Sequence, residues 1–171
     1  MILFKMVSVQ SQLYKGPTKM MEEMNEDFGG CIFTDHEVKS GLKQKKKLGA
    51  FIHSLLFHYL KKNSQINYTF VSDDFLLSMN QTHLNHDTYT DIITFDLSTK
   101  KSDIIIGDIY ISIDRVIENA KSLKIARQIE LLRVILHGAL HLSGFGDKTK
   151  KESEKMRNLE DEWMMKYQEL Q

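Results

Sequence analysis

Two histidines and an aspartate, His137, His141 and Asp147, stand in the run H-G-A-L-H-L-S-G-F-G-D, from His137 to Asp147. Residues four apart on a helix project from one face, a turn above each other. Gly144 predicts the end of that helix in a left-handed turn, since glycine adopts positive φ without steric cost. The turn returns Asp147 to the histidine face. Two imidazoles and one carboxylate then surround a point, with no fourth protein ligand in the run. That is the donor set of a catalytic metal centre with an open position; a closed structural site uses four. The chemistry predicted is metal-dependent hydrolysis with one zinc ion, other divalent metals being possible, and a metal-bound water as nucleophile. The bland alternative is a pair of satisfied core histidines beside a turn aspartate.

The spacing also equals that of the long zinc-protease helix motif H-E-x-x-H-x-x-G-x-x-H, with Asp147 in the last place. That motif needs a glutamate after the first histidine as general base. Gly138 stands there, and a glycine moves no proton. Two histidines and a carboxylate also make the facial triad of non-haem iron enzymes. Those ligands usually lie far apart on barrel strands, whereas these fall together at one helix end. Metallopeptidase and non-haem iron enzyme are thus minor alternatives.

The elements that must position these residues come from a chain of 171 residues, a length that suits one domain with a full core. Hydrophobic residues make up 42% and charged ones 27%, as in globular chains. Lys plus Arg equals Asp plus Glu at 23 each, so no net field draws nucleic acid and only local basic patches could. The single cysteine, Cys31, excludes an internal disulfide, fits a reducing compartment and reads as a small buried apolar residue. No apolar run reaches the roughly 18 residues of a membrane span, and Met1–Val9 has no small-residue cleavage pattern. A cytoplasmic protein is expected.

Residues 1–24 hold the only proline, Pro17, and five of the nine methionines. They read as an N-terminal extension, poorly ordered or peripheral, ahead of a single catalytic domain at 25–171; an edge strand at Ile2–Val9 is the alternative. Alternating apolar residues predict a strand at Gly30–Val38, and helical spacing predicts a helix over Leu42–Lys62. Gln65–Val71 is strand-like again. Asp73 or Asp74 is expected to cap a short helix through about Leu84. A strand fills the second half of His86–Asp96, and isoleucine-rich Asp103–Ile113 is the strongest strand signal. Gly107 inside it predicts a bulge or a close backbone approach. Helices follow at Asp114–Ser122, Ile125–Leu142 and Lys151–Gln168. The layout is α+β: a single mixed β-sheet packed against helices, with the metal site at the end of a helix in the C-terminal half.

The histidine run resembles the signature of the YbeY family of bacterial endoribonucleases and ribosomal-RNA maturation factors, H-G-x-L-H-L-x-G-[YF]-D-H. His137, Gly138, Leu140, His141, Leu142, Gly144 and Phe145 match it. Upstream, T-D-I-I-T-F (Thr90–Phe95) resembles the family's T-D-V-L-S-F block, and G-D-I-Y-I-S (Gly107–Ser112) its G-D-I-x-I-S strand. Asn80 fits the asparagine before the first block. Met156 and Glu160 fall where the family's last helix has similar residues. The resemblance covers about Gly30 to Trp163, in order.

It implies a metal-dependent, single-strand-specific endoribonuclease acting in ribosomal RNA maturation, at the 3′ end of the small-subunit RNA, and in ribosome quality control. Single-stranded and ribosomal RNA and the small ribosomal subunit are then the partners, with no membrane. A non-catalytic metal-binding ribosome-assembly factor is the alternative. Two positions depart from the family pattern. Asp147 stands where the family has its third histidine; its carboxylate still binds zinc, lowers the site's net charge by one unit and makes the site more tolerant of manganese or iron. Leu84 stands where the family usually has an arginine thought to act on the RNA phosphate; His83, His86 or a nearby lysine could stand in for it, although a surface histidine usually reads as merely solvated. No protein base stands out. Asp91 is a weak candidate that could equally cap a strand end, Asp108 reads as structural, and Ser112 is placed near the site by resemblance. Lys148 and Lys150, flanking Asp147 with Lys151, are expected to contact phosphate. Lys43, Lys45, Lys46 and Lys47 read as a solvated face.

Overall fold

The computed structural model describes residues 7–8, 30–84 and 88–170, with the backbone alone at Val7, Ser8, His83 and Leu84. Its sheet has five strands in the order β1-β4-β5-β3-β2. They are β1 (Val7–Ser8), β2 (Gly30–Asp35), β3 (Asn63–Val71), β4 (Ile92–Asp96) and β5 (Ile104–Ser112). Strands β2, β3 and β5 run parallel, β4 is antiparallel to β5, and β1 pairs in parallel with β4 through Val7–Phe95 and Ser8–Asp96. The helices are α1 (Lys45–Leu60), α2 (Asp73–Leu84), α3 (Ile113–Leu123), α4 (Arg127–Leu142) and α5 (Lys150–Glu169). One mixed sheet with packed helices is the α+β architecture expected. Most of the anticipated N-terminal extension, and of the edge strand at Ile2–Val9, lies outside the described residues.

Strand alternation divides the core between the two sheet faces. Ile66, Tyr68 and Phe70 of β3, Ile92 of β4, and Ile105, Ile109 and Ile111 of β5 join the main core with α1, α4 and α5. Val71, Ile93, Phe95 and Tyr110 point the other way and pack with Leu76 and Met79 of α2. Helix α4 is enclosed by α1, α3, α5 and strands β4 and β5, so every residue from Val134 to Leu142 is buried.

Local chemistry sets the helix ends. Ser72, rather than Asp73 or Asp74, caps α2: its Oγ accepts from the Phe75 N–H at 3.3 Å and its carbonyl from Leu76. A serine hydroxyl competes well for that place, and Asp73 instead forms a bidentate pair with Arg115. Ser112 caps α3 by accepting from the Arg115 N–H at 3.2 Å and donates to Asp73 at 3.1 Å. Its hydroxyl therefore serves the α3 cap rather than the metal cluster.

Two glycines seat α4 on the sheet. Gly107 marks a close approach and no bulge, since the β3–β5 register is continuous. A Cβ there would lie 2.7 Å from Leu142 Cδ1. At Gly138 a Cβ would lie 2.9 Å from Ile92 Cδ1 and 3.0 Å from Ile109 Cδ1. The residue after His137 thus faces the apolar sheet. A protease-type glutamate at this position would enter the core, which removes the peptidase reading on steric grounds. Gly138→Val should cost about 1–3 kcal/mol by overpacking this contact. Urea unfolding measures it, and an unchanged midpoint would show that α4 is seated less tightly than these distances require.

Candidate metal centre

The last turn of α4 and its exit build the cluster. His137 and His141 share one helix face, their rings 4.3 Å apart and nearly perpendicular at 87°. Helix α4 ends as glycine at the next offset predicts. Gly144 has φ 92°, the Gly144 N–H donates to the His141 carbonyl, and the Phe145 N–H donates to the Leu140 carbonyl. This is the Schellman pair of bonds. It aims the Phe145 carbonyl back at His141, whose Nδ1 donates to it at 2.8 Å. The Phe145 ring stands 4.9 Å from that of Tyr59 on α1, and Tyr59 accepts from Trp163 Nε1 of α5 at 3.0 Å. Two helices thereby hold the turn. Thr149 and Glu152 then start α5 with a capping box just past Asp147.

Helix α5 returns antiparallel and supplies the group that fixes His137. His137 Nδ1 lies 2.7 Å from Glu160 Oε1, and Glu160 Oε2 accepts from Arg133 at 3.1 Å. Carbonyls and carboxylates only accept, so each Nδ1 carries a proton and each ring turns its Nε2 toward the cluster. The Nε2 atoms face each other at 2.8 Å. Asp147 Oδ2 stands 3.8 Å from one and 3.9 Å from the other.

These three residues meet within 4.8 Å of one another, and they suit a divalent metal. Tetrahedral zinc with bonds of about 2.1 Å needs donors roughly 3.4 Å apart, and the observed separations fall on both sides of that value. Two lone pairs at 2.8 Å repel unless a proton or a cation lies between them. Burial, together with neighbouring His137, pushes His141 down to about 2, which keeps it a neutral ligand. Burial also raises Asp147, against the pull of His137.

The depressed His141 gives a pH signature in metal-free protein. Its folded value lies below its ordinary 6.5, so the unfolded chain binds the extra proton. Its contribution is complete above that pH and is lost as pH falls. Unfolding free energy should drop by about 1.4 kcal/mol per unit below pH 6 relative to His141→Gln. Parallel pH profiles for the two proteins would rule this out.

A cavity of about 590 Å³ opens beside the cluster, lined by His137, Asp147, Asp91, Asn119, Lys148 and Lys150 among others. Asp91 is brought there by the start of β4. Asn80 secures that approach by donating to the Thr88 carbonyl at 2.6 Å. Asp91 Oδ2 accepts from Asn119 at 3.2 Å, while Oδ1 has no hydrogen-bond partner among the described residues. Burial raises its pKa, partly offset by His137. Buried Glu130, also raised by burial, lines the same cavity.

Other candidates lie elsewhere. Asp108 points to the α2 face and accepts from Asn67 at 2.8 Å. Lys45 donates to the Phe33 carbonyl and Lys47 to the Leu170 carbonyl, so part of the presumed solvated run ties α1 to its neighbours. Burial pushes the Cys31 thiol up to about 12, consistent with an inert residue. His86 lies outside the described residues, as do the side chains of His83 and Leu84.

The roles of Glu160, Arg133, Asn119 and Glu130 went unread in the sequence. One signal was available: Glu160 interrupts the apolar stripe Met156, Trp163, Tyr167 of α5. A carboxylate in such a stripe is buried and needs a partner.

A family model described as endoribonuclease YbeY matches residues 33–168. A Flavobacterium psychrophilum protein of that description is 42% identical over 131 residues, 77% of this chain and 92% of the relative. A Cytophaga hutchinsonii relative of the same description is 44% identical over 130 residues, 76% of this chain and 90% of its own. A Thermotoga maritima protein with a solution structure superposes with a TM-score of 0.54 at 26% identity, covering 82% of this chain and 93% of that one.

Proposed function

The chain belongs to the YbeY family of endoribonucleases, and from that premise we propose that it cuts single-stranded RNA in maturation of the small-subunit ribosomal RNA. One zinc ion held by His137, His141 and Asp147 serves the reaction. The observation that carries the reading is the convergence of two imidazole nitrogens and a carboxylate oxygen at the wall of an open cavity. When bound, such a metal lowers the pKa of water from about 15.7 to about 7 and offsets charge on the phosphate.

The chain's own residues do the rest. The two Nε2 lone pairs and the Asp147 carboxylate hold the metal at the cavity wall. Asp91 is the proton acceptor, since burial lifts its pKa toward that of a working base. Lys148 and Lys150 stand exposed at the cavity and hold RNA phosphates. The small ribosomal subunit and its quality control are the setting in this reading, and the cytoplasm the compartment. Among the described residues no helix is long and apolar enough to cross a membrane.

Two measurements test the proposal. Chain stripped by a chelator should regain endonucleolytic cleavage of single-stranded RNA when one equivalent of zinc is returned. Metal uptake without cleavage would turn the reading to a metal-binding assembly factor. RNA affinity should also fall with salt, and Lys148→Ala with Lys150→Ala should flatten the log–log slope by about 1.4, at roughly 0.7 per phosphate contact. A salt-independent affinity would remove both lysines from the RNA path.

A further inference from the structure

The cavity beside the metal cluster is unlike a simple phosphate groove. Part of its lining, Lys148, Lys150 and Arg157, comes from α5 and the loop before it and is cationic. Another part, Leu123, Ile125 and Met156, is apolar. Leu123 is 54% exposed, one of few large apolar side chains so open among the described residues. It stands where α3 gives way to α4, beside a cavity that also holds charged side chains. An apolar side chain left in water there gains when a flat apolar face covers it. The volume, about 590 Å³, lies in the range of small-ligand pockets, roughly 300–1,000 Å³. Cations for phosphate, an apolar patch, the metal donors His137 and Asp147 and the carboxylates Asp91, Glu130 and Glu160 all line this one space.

We propose that this cavity is a nucleotide subsite, in which the base next to the scissile phosphate lies on Leu123 and Ile125 while Lys148, Lys150 and Arg157 face the backbone. The inference rests on the endoribonuclease reading and deepens it. Contact through the base face is common to all four bases, so the subsite favours an unstacked nucleotide without selecting its identity. It also supplies a reason for single-strand preference, because a paired base cannot leave its stack without cost.

The test uses the zinc-loaded full chain and a short single-stranded RNA whose cut site has been mapped. One abasic ribose is placed immediately on either side of the cut. The subsite predicts a loss of kcat/KM on the order of tenfold for the abasic residue on one side only. Exchanging the four bases at that position should change the rate less than about threefold. Leu123→Ala with Ile125→Ala should slow the intact substrate to the abasic level and leave the abasic substrate unchanged; circular dichroism and zinc content report that the variant is folded. Equal cutting of intact and abasic substrates by the unaltered chain overturns the subsite while leaving the endoribonuclease reading in place. So does a folded variant that keeps the full difference. A chain that loads zinc and cuts no RNA overturns both.

Discussion

His141→Ala and Asp147→Ala should lose metal and RNA cleavage together, as should His137→Ala, and no substitution outside these three residues should lose as much. Each removes one of the three proposed donors, and no fourth joins the group among the described residues. Glu160 is engaged by His137 and Arg133, so it cannot replace a missing ligand without abandoning both. Several kcal/mol of transition-state stabilisation depend on the metal, so cleavage should fall roughly 10³-fold or more. Asp147→Ala tests the departure from the family pattern directly. If Asp147 is a ligand, the variant retains its fold and loses its zinc, read by metal analysis alongside circular dichroism. A variant with full zinc content would show that His137 and His141 bind with some other group.

Glu160→Gln should weaken metal binding by about 10–100-fold, although Glu160 touches no metal. Its carboxylate accepts from His137 Nδ1 at 2.7 Å and so presents Nε2 to the cluster. The negative charge also makes the imidazole a stronger donor. An amide keeps the shape and one acceptor but removes the charge. Arg133 retains Asp161 at 2.8 Å, so the α4–α5 contact should survive. Chelator competition measures the affinity, and urea unfolding of metal-free protein checks the fold. Equal zinc affinity in Glu160→Gln and the unaltered chain would reduce Glu160 to a packing partner. Loss of stability without loss of affinity would say the same.

Much of the fold was legible because its signals are local. Isoleucine richness marks β5, helical spacing marks α1 and α4, and strand and helix limits fall within a few residues of those expected. The cap of α2 was misassigned between neighbours in the run Ser72-Asp73-Asp74, where each residue type is a good cap. What separated them was Arg115, 42 residues from Asp73 in sequence. Ser112 was drawn toward the site by resemblance, but its hydroxyl is taken by the α3 cap.

The convergence of His137, His141 and Asp147 was determined by sequence alone. It depends on a helical repeat and a glycine turn, and both act over a few residues. Tertiary structure alone decided what surrounds the cluster. Glu160 reaches His137 because α5 folds back on α4, Asp91 reaches the cavity from the start of β4, and Gly138 is required because Ile92 and Ile109 press on α4. These contacts join residues 20 to 50 positions apart. Spacing along one element cannot specify them, because they follow from how buried faces pack and how buried charges find partners.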